Sequence, residues 1–279
     1  WIRETMEKEL ERPNGMILTT GPTGSGKTTT LYAFVRRVHK PGIKIITLED
    51  PIEYHLKGVE QTQVEPERGY DFASGLRSIL RQDPDVLLVG EIRDLETAET
   101  AMHASLTGHL VFSTLHTNNA AGTIPRLLDI GVKPPIIAPA INVAMAQRLL
   151  RRLCTKCRTQ SPATPEEKRI IETEIAGLPA KVKKPDIQNL NLWRPKGCTD
   201  CNLTGYKGRI SVYEIILIDD KIEELIFKDP SESSIKKAAF LQGQITLRQD
   251  GILKVVDGIT DIAEVDRVVG AGATDQSST

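Results

Sequence analysis

Apolar and polar positions along this chain switch between two periods. Residues 16–20, MILTT, make a short β-rich run that ends at a glycine-rich segment. TTTLYAFVRRVH then sets Leu31, Phe34, Val35 and Val38 at helical spacing. The pattern is strand, loop, helix. It continues with a buried strand over IKIITLED (43–50), a helix over SGLRSILRQ (74–82) and a strand over DVLLVGE (85–91). DLETAETAMHASLT, with acidic residues in its first turn, predicts another helix, and HLVFSTLH (109–116) a fourth strand. Strands alternating with helices of this length predict an α/β fold whose mostly parallel sheet is covered on both faces.

From about Ala120 the pattern reads as helical, through AAGTIPRLLDIG and then PPIIAPAINVAMAQRLLRRL. A proline-rich, charged stretch follows, with one short helix expected around Glu166 to Ile175. YKGRISVYEIILI is strand-like, and two or three short helices are expected from DKIEELIF, SSIKKAAFLQ and TLRQDGILKVV. GAGATDQSST has no means of folding by itself.

Composition narrows the function classes. The 36 basic residues nearly balance the 37 acidic ones, and only 4% of residues are aromatic. Neither the clustered cations of a polyanion binder nor the stacking platforms of a single-strand binder are present, so no nucleic-acid partner is expected. No apolar run reaches the length of a membrane helix and no signal pattern opens the chain, so a cytoplasmic protein is expected. The chain opens on Trp1 within an amphipathic stretch (Ile2, Met6, Leu10), which reads as the C-terminal part of a longer protein.

GPTGSGKT, Gly21 to Thr28, fits the G-x-x-x-x-G-K-[ST] loop, whose backbone N–H groups cradle phosphates at a helix N-terminus. Gly21, Pro22, Thr23, Gly24, Ser25, Gly26, Lys27, Thr28 and the adjoining Thr29 are the candidate nucleotide contacts. Lys27 would reach the β and γ phosphates, and the Thr28 hydroxyl would hold Mg²⁺. A nucleotide hydrolase needs further carboxylates for the metal and for the attacking water. Glu49, Asp50 and Glu53 stand at the end of the second strand, and Glu91 at the end of the third, where ligands of open α/β sheets bind. His109 and His116 flank the fourth strand and, seven residues apart, would face opposite sides of it. One could donate a hydrogen bond to a γ phosphate; the plainer reading is a strand-end histidine with a structural partner. Arg77 and Arg81, four apart on one helix face, read either as a salt-bridging surface or as charge supplied to phosphate across a subunit boundary.

All four cysteines fall in two pairs, Cys154/Cys157 and Cys198/Cys201. C-x2-C-x40-C-x2-C supplies the ligand set of a closed tetrahedral zinc site, with reduced free thiols or a redox pair as the alternatives. Four thiolates leave no open position, so a zinc here would be structural. Such a site folds a lobe with little core of its own.

GPTGSGKTTTLY, TLEDPIEY, LRSILRQDPDVLLVGEIRD and TGHLVFSTLHTN closely resemble the Walker A, Asp, Walker B and His boxes of the type II secretion and type IV pilus assembly ATPases. The resemblance covers nearly the whole chain. It implies a RecA-like P-loop NTPase domain over 1–150, residues 1–14 being the tail of a preceding linker. A tetracysteine zinc module follows over 151–218, a C-terminal helical region over 219–270 and a disordered tail over 271–279. It further implies a homohexamer that hydrolyses ATP with Mg²⁺ at subunit interfaces. That hexamer would couple to an inner-membrane platform protein that adds pilin subunits to a filament. Glu53 would polarise water, Glu91 would hold Mg²⁺ through water, and His109 and His116 would fill the His box. Family members carry an additional N-terminal domain that gives arginines to a neighbour's site, which implies slow hydrolysis by this stretch alone. Retraction ATPases of the family lack the four cysteines, so the resemblance implies a motor that pushes subunits out. A zinc-bearing nucleic-acid translocase and a nucleotide-binding regulatory module are the competing classes.

Overall fold

The computed structural model describes residues 1–188 and 190–271. In chain order the elements are α1 (Ile2–Leu10), β1 (Gly15–Thr20), α2 (Lys27–Val38), β2 (Ile45–Glu49), β3 (Glu60–Gln63), α3 (Phe72–Leu80), β4 (Val86–Val89), α4 (Leu95–Leu106), β5 (Leu110–Leu115), α5 (Thr123–Ile130) and α6 (Pro134–Ala140). There follow β6 (Ile141–Leu153), β7 (Thr159–Pro162), α7 (Pro165–Ala176), β8 (Asn191–Arg194), β9 (Tyr206–Leu217), α8 (Asp220–Lys228), α9 (Glu232–Gln242), α10 (Leu247–Val256) and α11 (Ile262–Val269). The unfolded tail expected over 271–279 falls, from residue 272 onward, outside the described residues.

Among the described residues the main sheet runs β3-β2-β4-β5-β1-β6-β9. β1 pairs in parallel with β5 and β6, β2 with β3 and β4, and β4 with β5. The C-terminal ends of β1, β2, β4 and β5 therefore share one edge. Each is buried along its whole length and mostly apolar, as expected of strands covered on both faces. Several helices start where a side chain satisfies their first N–H groups. Asp71 and Ser74 form a reciprocal capping box at α3, and Asp94 accepts from the Thr97 amide at 2.8 Å at α4.

The chain divides into two compact units. One comprises Trp1–Ala146 with Ile215–Gln242, and its core gathers Met16, Ile17, Leu18, Leu31, Leu48, Leu76, Leu87 and Phe112. The other comprises Gln147–Glu214 with Gly243 onward and is built around Leu150, Ile171, Leu192, Val212, Ile252, Val255 and Val265. The helices after β9 are shared between them, α8 and α9 in the first unit, α10 and α11 in the second.

The helical expectation over 134–153 is corrected. Only Pro134–Ala140 is helix, and Ile141–Leu153 is a thirteen-residue strand. Its polar residues, Asn142, Gln147, Arg148, Arg151 and Arg152, follow neither strict alternation nor a clean helical stripe, and pairing with β1 decides that its first half extends. Three strands and one helix also had no clear sequence signal: β3 is short and polar, β7 and β8 form a two-stranded antiparallel ribbon, and α11 is only eight residues long.

Candidate nucleotide and metal sites

The loop after β1 carries the phosphate-binding pattern on a backbone that glycine alone tolerates. Gly24 has φ +77° and Gly26 φ +89°. A methyl group on Gly24 would meet no heavy atom within 4 Å, so space lies open over the loop. Gly26 caps α2 without a side chain, which leaves the first N–H groups of that helix to whatever binds there. Lys27 folds back over the loop, its Nζ donating to the Gly21 carbonyl at 2.8 Å and to Pro22 at 3.2 Å. Beneath it the buried Ser25 Oγ lacks a hydrogen-bond partner, so this cradle has polar capacity for an anion.

Two cross-strand ties bring the other candidates to the same edge. Thr114 on β5 donates to the Gly90 carbonyl at 2.8 Å and its own carbonyl takes the Ile92 amide at 3.0 Å, so Glu91 is held beside β5. The Thr20 and Thr117 hydroxyls lie 2.7 Å apart, which seats the residue after His116 against the start of the phosphate loop. His116 Nε2 then lies 3.7 Å from Glu91 Oε2. Burial, with Lys27 nearby, holds the His116 imidazole below its ordinary pKa, and Glu91 opposes that shift only in part. Arg93 pairs with Glu91 and also feels Asp50. Nothing in the spacing of GEIRD marks Arg93 as folding back onto Glu91, and sequence reading passed over it.

Glu53 stands exposed in the loop 50–59 after β2, at the same edge. Its neighbour Glu49 is buried instead. It accepts from Tyr32, from Thr47 Oγ1 at 2.5 Å and from Gln61 Nε2 at 3.1 Å. His109 is not brought to this edge. It precedes β5, seven residues or about 23 Å of extended chain from His116, and its Nδ1 lies 2.9 Å from the Ala104 carbonyl. Arg77 pairs with Glu96 at the start of α4, and Arg81 is the exposed C-cap of α3, at the end that leads into β4 and so at the opposite sheet edge.

In the second unit two turns present the cysteines. The Cys157 amide donates to the Cys154 carbonyl and the Cys201 amide to the Cys198 carbonyl, both at 3.2 Å. The sulfurs of Cys154 and Cys198 lie 3.9 Å apart, Cys157 and Cys201 3.8 Å, and Cys198 and Cys201 3.7 Å. All four lie within 4.8 Å of one another. A tetrahedron with metal–sulfur bonds of about 2.3 Å has edges of about 3.8 Å, whereas a disulfide needs about 2.05 Å. The cluster therefore fits one metal ion. Burial pushes the Cys157 thiol up to about 11. At Cys201 burial is outweighed by the amides of Cys198 and Gly205, at 3.2 and 3.3 Å from its sulfur, which draw the thiol down to about 6.

A parallel sheet with a glycine-rich loop at the strand–helix junction, and carboxylates on the adjoining strand ends, defines a RecA-like P-loop protein. The family profile described as "Type II/IV secretion system protein" matches residues 2–267, and the chain belongs to that family. It is 47% identical over 266 residues to the type II secretion system protein E of Aeromonas hydrophila, covering 95% of this chain and 51% of that protein. It is 43% identical to the type IV pilus assembly ATPase PilB of Myxococcus xanthus, covering 99% of this chain and 46% of that protein. The chain thus spans about half the length of the curated relatives it matches. Among solved structures, the pilus retraction motor PilT with bound ADP superposes with a TM-score of 0.67 at 28% identity, over 99% of this chain and 66% of that one. The Legionella pneumophila ATPase DotB shares the fold, with a TM-score of 0.66 at 23% identity over 95% of this chain and 62% of its own.

Proposed function

We propose that this chain is the nucleotide-hydrolysing part of a motor that assembles a type IV pilus or a type II secretion pseudopilus. The observation that carries the reading is the convergence of the Lys27 loop, Glu91 and His116 on the sheet edge that also bears Glu53. The Gly21–Thr29 loop binds the phosphates of ATP through backbone N–H groups and Lys27. Thr28, with Glu91 through water, holds Mg²⁺, which when bound neutralises phosphate charge. Glu53 orients and polarises the attacking water, and His116 donates to the γ phosphate. The four cysteines hold a structural zinc.

The motor works as a homohexamer at the cytoplasmic face of an inner membrane, docked on a platform protein, with Arg77 and Arg81 as candidates for reaching a neighbour's phosphates. No helix among the described residues is long and apolar enough to cross a membrane. Assembly rather than retraction is favoured by the cysteine cluster and by the higher identity to the assembly and secretion relatives than to the retraction motor. Glu53→Gln tests the reading: ATP binding should persist while turnover falls by about two orders of magnitude or more. Undiminished turnover would refute the role of Glu53, and loss of binding would place Glu53 in the nucleotide cradle instead.

A further inference from the structure

Glu53 sits on an exposed loop, yet a catalytic carboxylate must be held to a fraction of an ångström. The structure contains the means. Gln61 and Gln63 both lie on β3, two residues apart and therefore on one face of the strand. Gln61 Oε1 accepts the Leu56 amide at 2.6 Å, while its Nε2 donates to the Tyr54 carbonyl at 3.2 Å and to Glu49 Oε1 at 3.1 Å. Gln63 Oε1 accepts the Ile52 amide at 3.3 Å. The contacts fall at residues 52, 54 and 56 and bracket Glu53.

The third contact comes from the phosphate-binding helix itself. Tyr32, on α2 and fully buried, donates its hydroxyl to Glu49 and accepts from Gln61 Nε2 at 3.4 Å. Its ring packs edge-on against Tyr54 with centroids 4.7 Å apart. Tyr32 lies five residues after Lys27 on the same helix, so one element carries the phosphate end and, through Tyr54, Glu49 and Gln61, meets the loop that bears Glu53.

We infer that Tyr32 and Gln61, joined through the buried carboxylate of Glu49, are positioning residues that hold the Glu53 loop in register with the phosphate loop. None of the three belongs to the proposed phosphate cradle of Gly21–Thr29. Their effect passes through Glu53, so the inference rests on the role proposed for that residue. It also explains why a carboxylate is buried at Glu49: its two oxygens accept from Tyr32, Thr47 and Gln61 and gather them about one point.

The test uses the purified chain with MgATP, measuring kcat, nucleotide Kd and melting temperature. Tyr32→Phe and Gln61→Leu should lower kcat by about a hundredfold, the cost of an ångström-scale misplacement, with Kd within about threefold of wild type. In a Glu53→Gln background neither should lower the residual turnover further, because residues that act through one group are non-additive. Gln63→Leu, at an exposed position outside the buried network, should show a smaller fall in kcat with an unchanged melt. This keeps the test valid if Tyr32→Phe folds poorly. Wild-type kcat in both Gln61→Leu and Gln63→Leu would overturn the clamp, as would losses that add fully to that of Glu53→Gln or that fall equally on Kd. Wild-type turnover in Glu53→Gln itself would overturn the underlying role of Glu53. Turnover lost there but kept in the clamp variants would overturn the clamp alone.

Discussion

Lys27 illustrates how much one residue can be asked to do. Its ammonium spans the phosphate loop to two carbonyls, a contact set that a γ phosphate would compete for. A ligand at a hundred times its Kd stabilises the folded state by about 2.7 kcal/mol. MgATP should accordingly raise the melting temperature of the wild-type chain by several degrees, and Lys27→Ala should abolish the rise in differential scanning fluorimetry. At the cysteines, the geometry leads to one zinc per chain by elemental analysis of protein purified without chelator. Cys201→Ser should lower both the zinc content and the melting temperature of the second unit. The Gly21–Thr28 loop and the four cysteines could be read directly from sequence, because their chemistry is written in residue type and spacing. Arg93 and the Glu49 network could not, because a side chain that folds back across a loop leaves no periodic trace.

At the scale of elements, α11 is tied to β6 through one carboxylate. Glu264, fully buried, accepts from the Arg151 amide and guanidinium at 2.7–2.9 Å and from Arg267 at 2.6–2.7 Å. Burial works against its charge, but the hydrogen bonds from Arg267 and Arg151 prevail and bring its pKa from an ordinary 4.5 down to about 2. A depressed carboxylate stabilises the fold fully above the unfolded value and loses that contribution as pH falls through the folded one. The window therefore runs from about pH 4.5 down to pH 2, and the contribution is about 3 kcal/mol. Glu264→Gln should lower stability at neutral pH and flatten the acid limb across that window, measured by thermal melts at successive pH values. Asp94→Ala, which deletes the α4 cap, should cost about 1 kcal/mol in denaturant unfolding. α4 was legible because strong helix formers with acidic residues in the first turn are a local signal; β6 was not, because its mixed apolar and basic residues become strand only beside another strand.

For the molecule as a whole, the relevant length is that of the relatives, which is about twice this chain. The proposed motor, by the resemblance, would draw arginines from outside this stretch to a neighbour's nucleotide. The chain alone should therefore bind MgATP but hydrolyse it more slowly than a protein of the relatives' full extent. Equal turnover numbers in steady-state assays would contradict that division of labour.

Residue order alone determined the phosphate loop, the metal-ligand set and the alternation of strands and helices, since each depends on contacts close along the chain or on residue type at fixed spacing. The tertiary structure decided at which sheet edge each histidine lies. β5 carries His116 to the edge shared with Lys27 and Glu91 and leaves His109 at the other end, against Ala104. It also decided that Glu49, at the end of β2, is buried while Glu53 in the loop beyond is exposed. Strand polarity and sheet order are long-range properties, and no local pattern encodes which end of a strand faces the ligand.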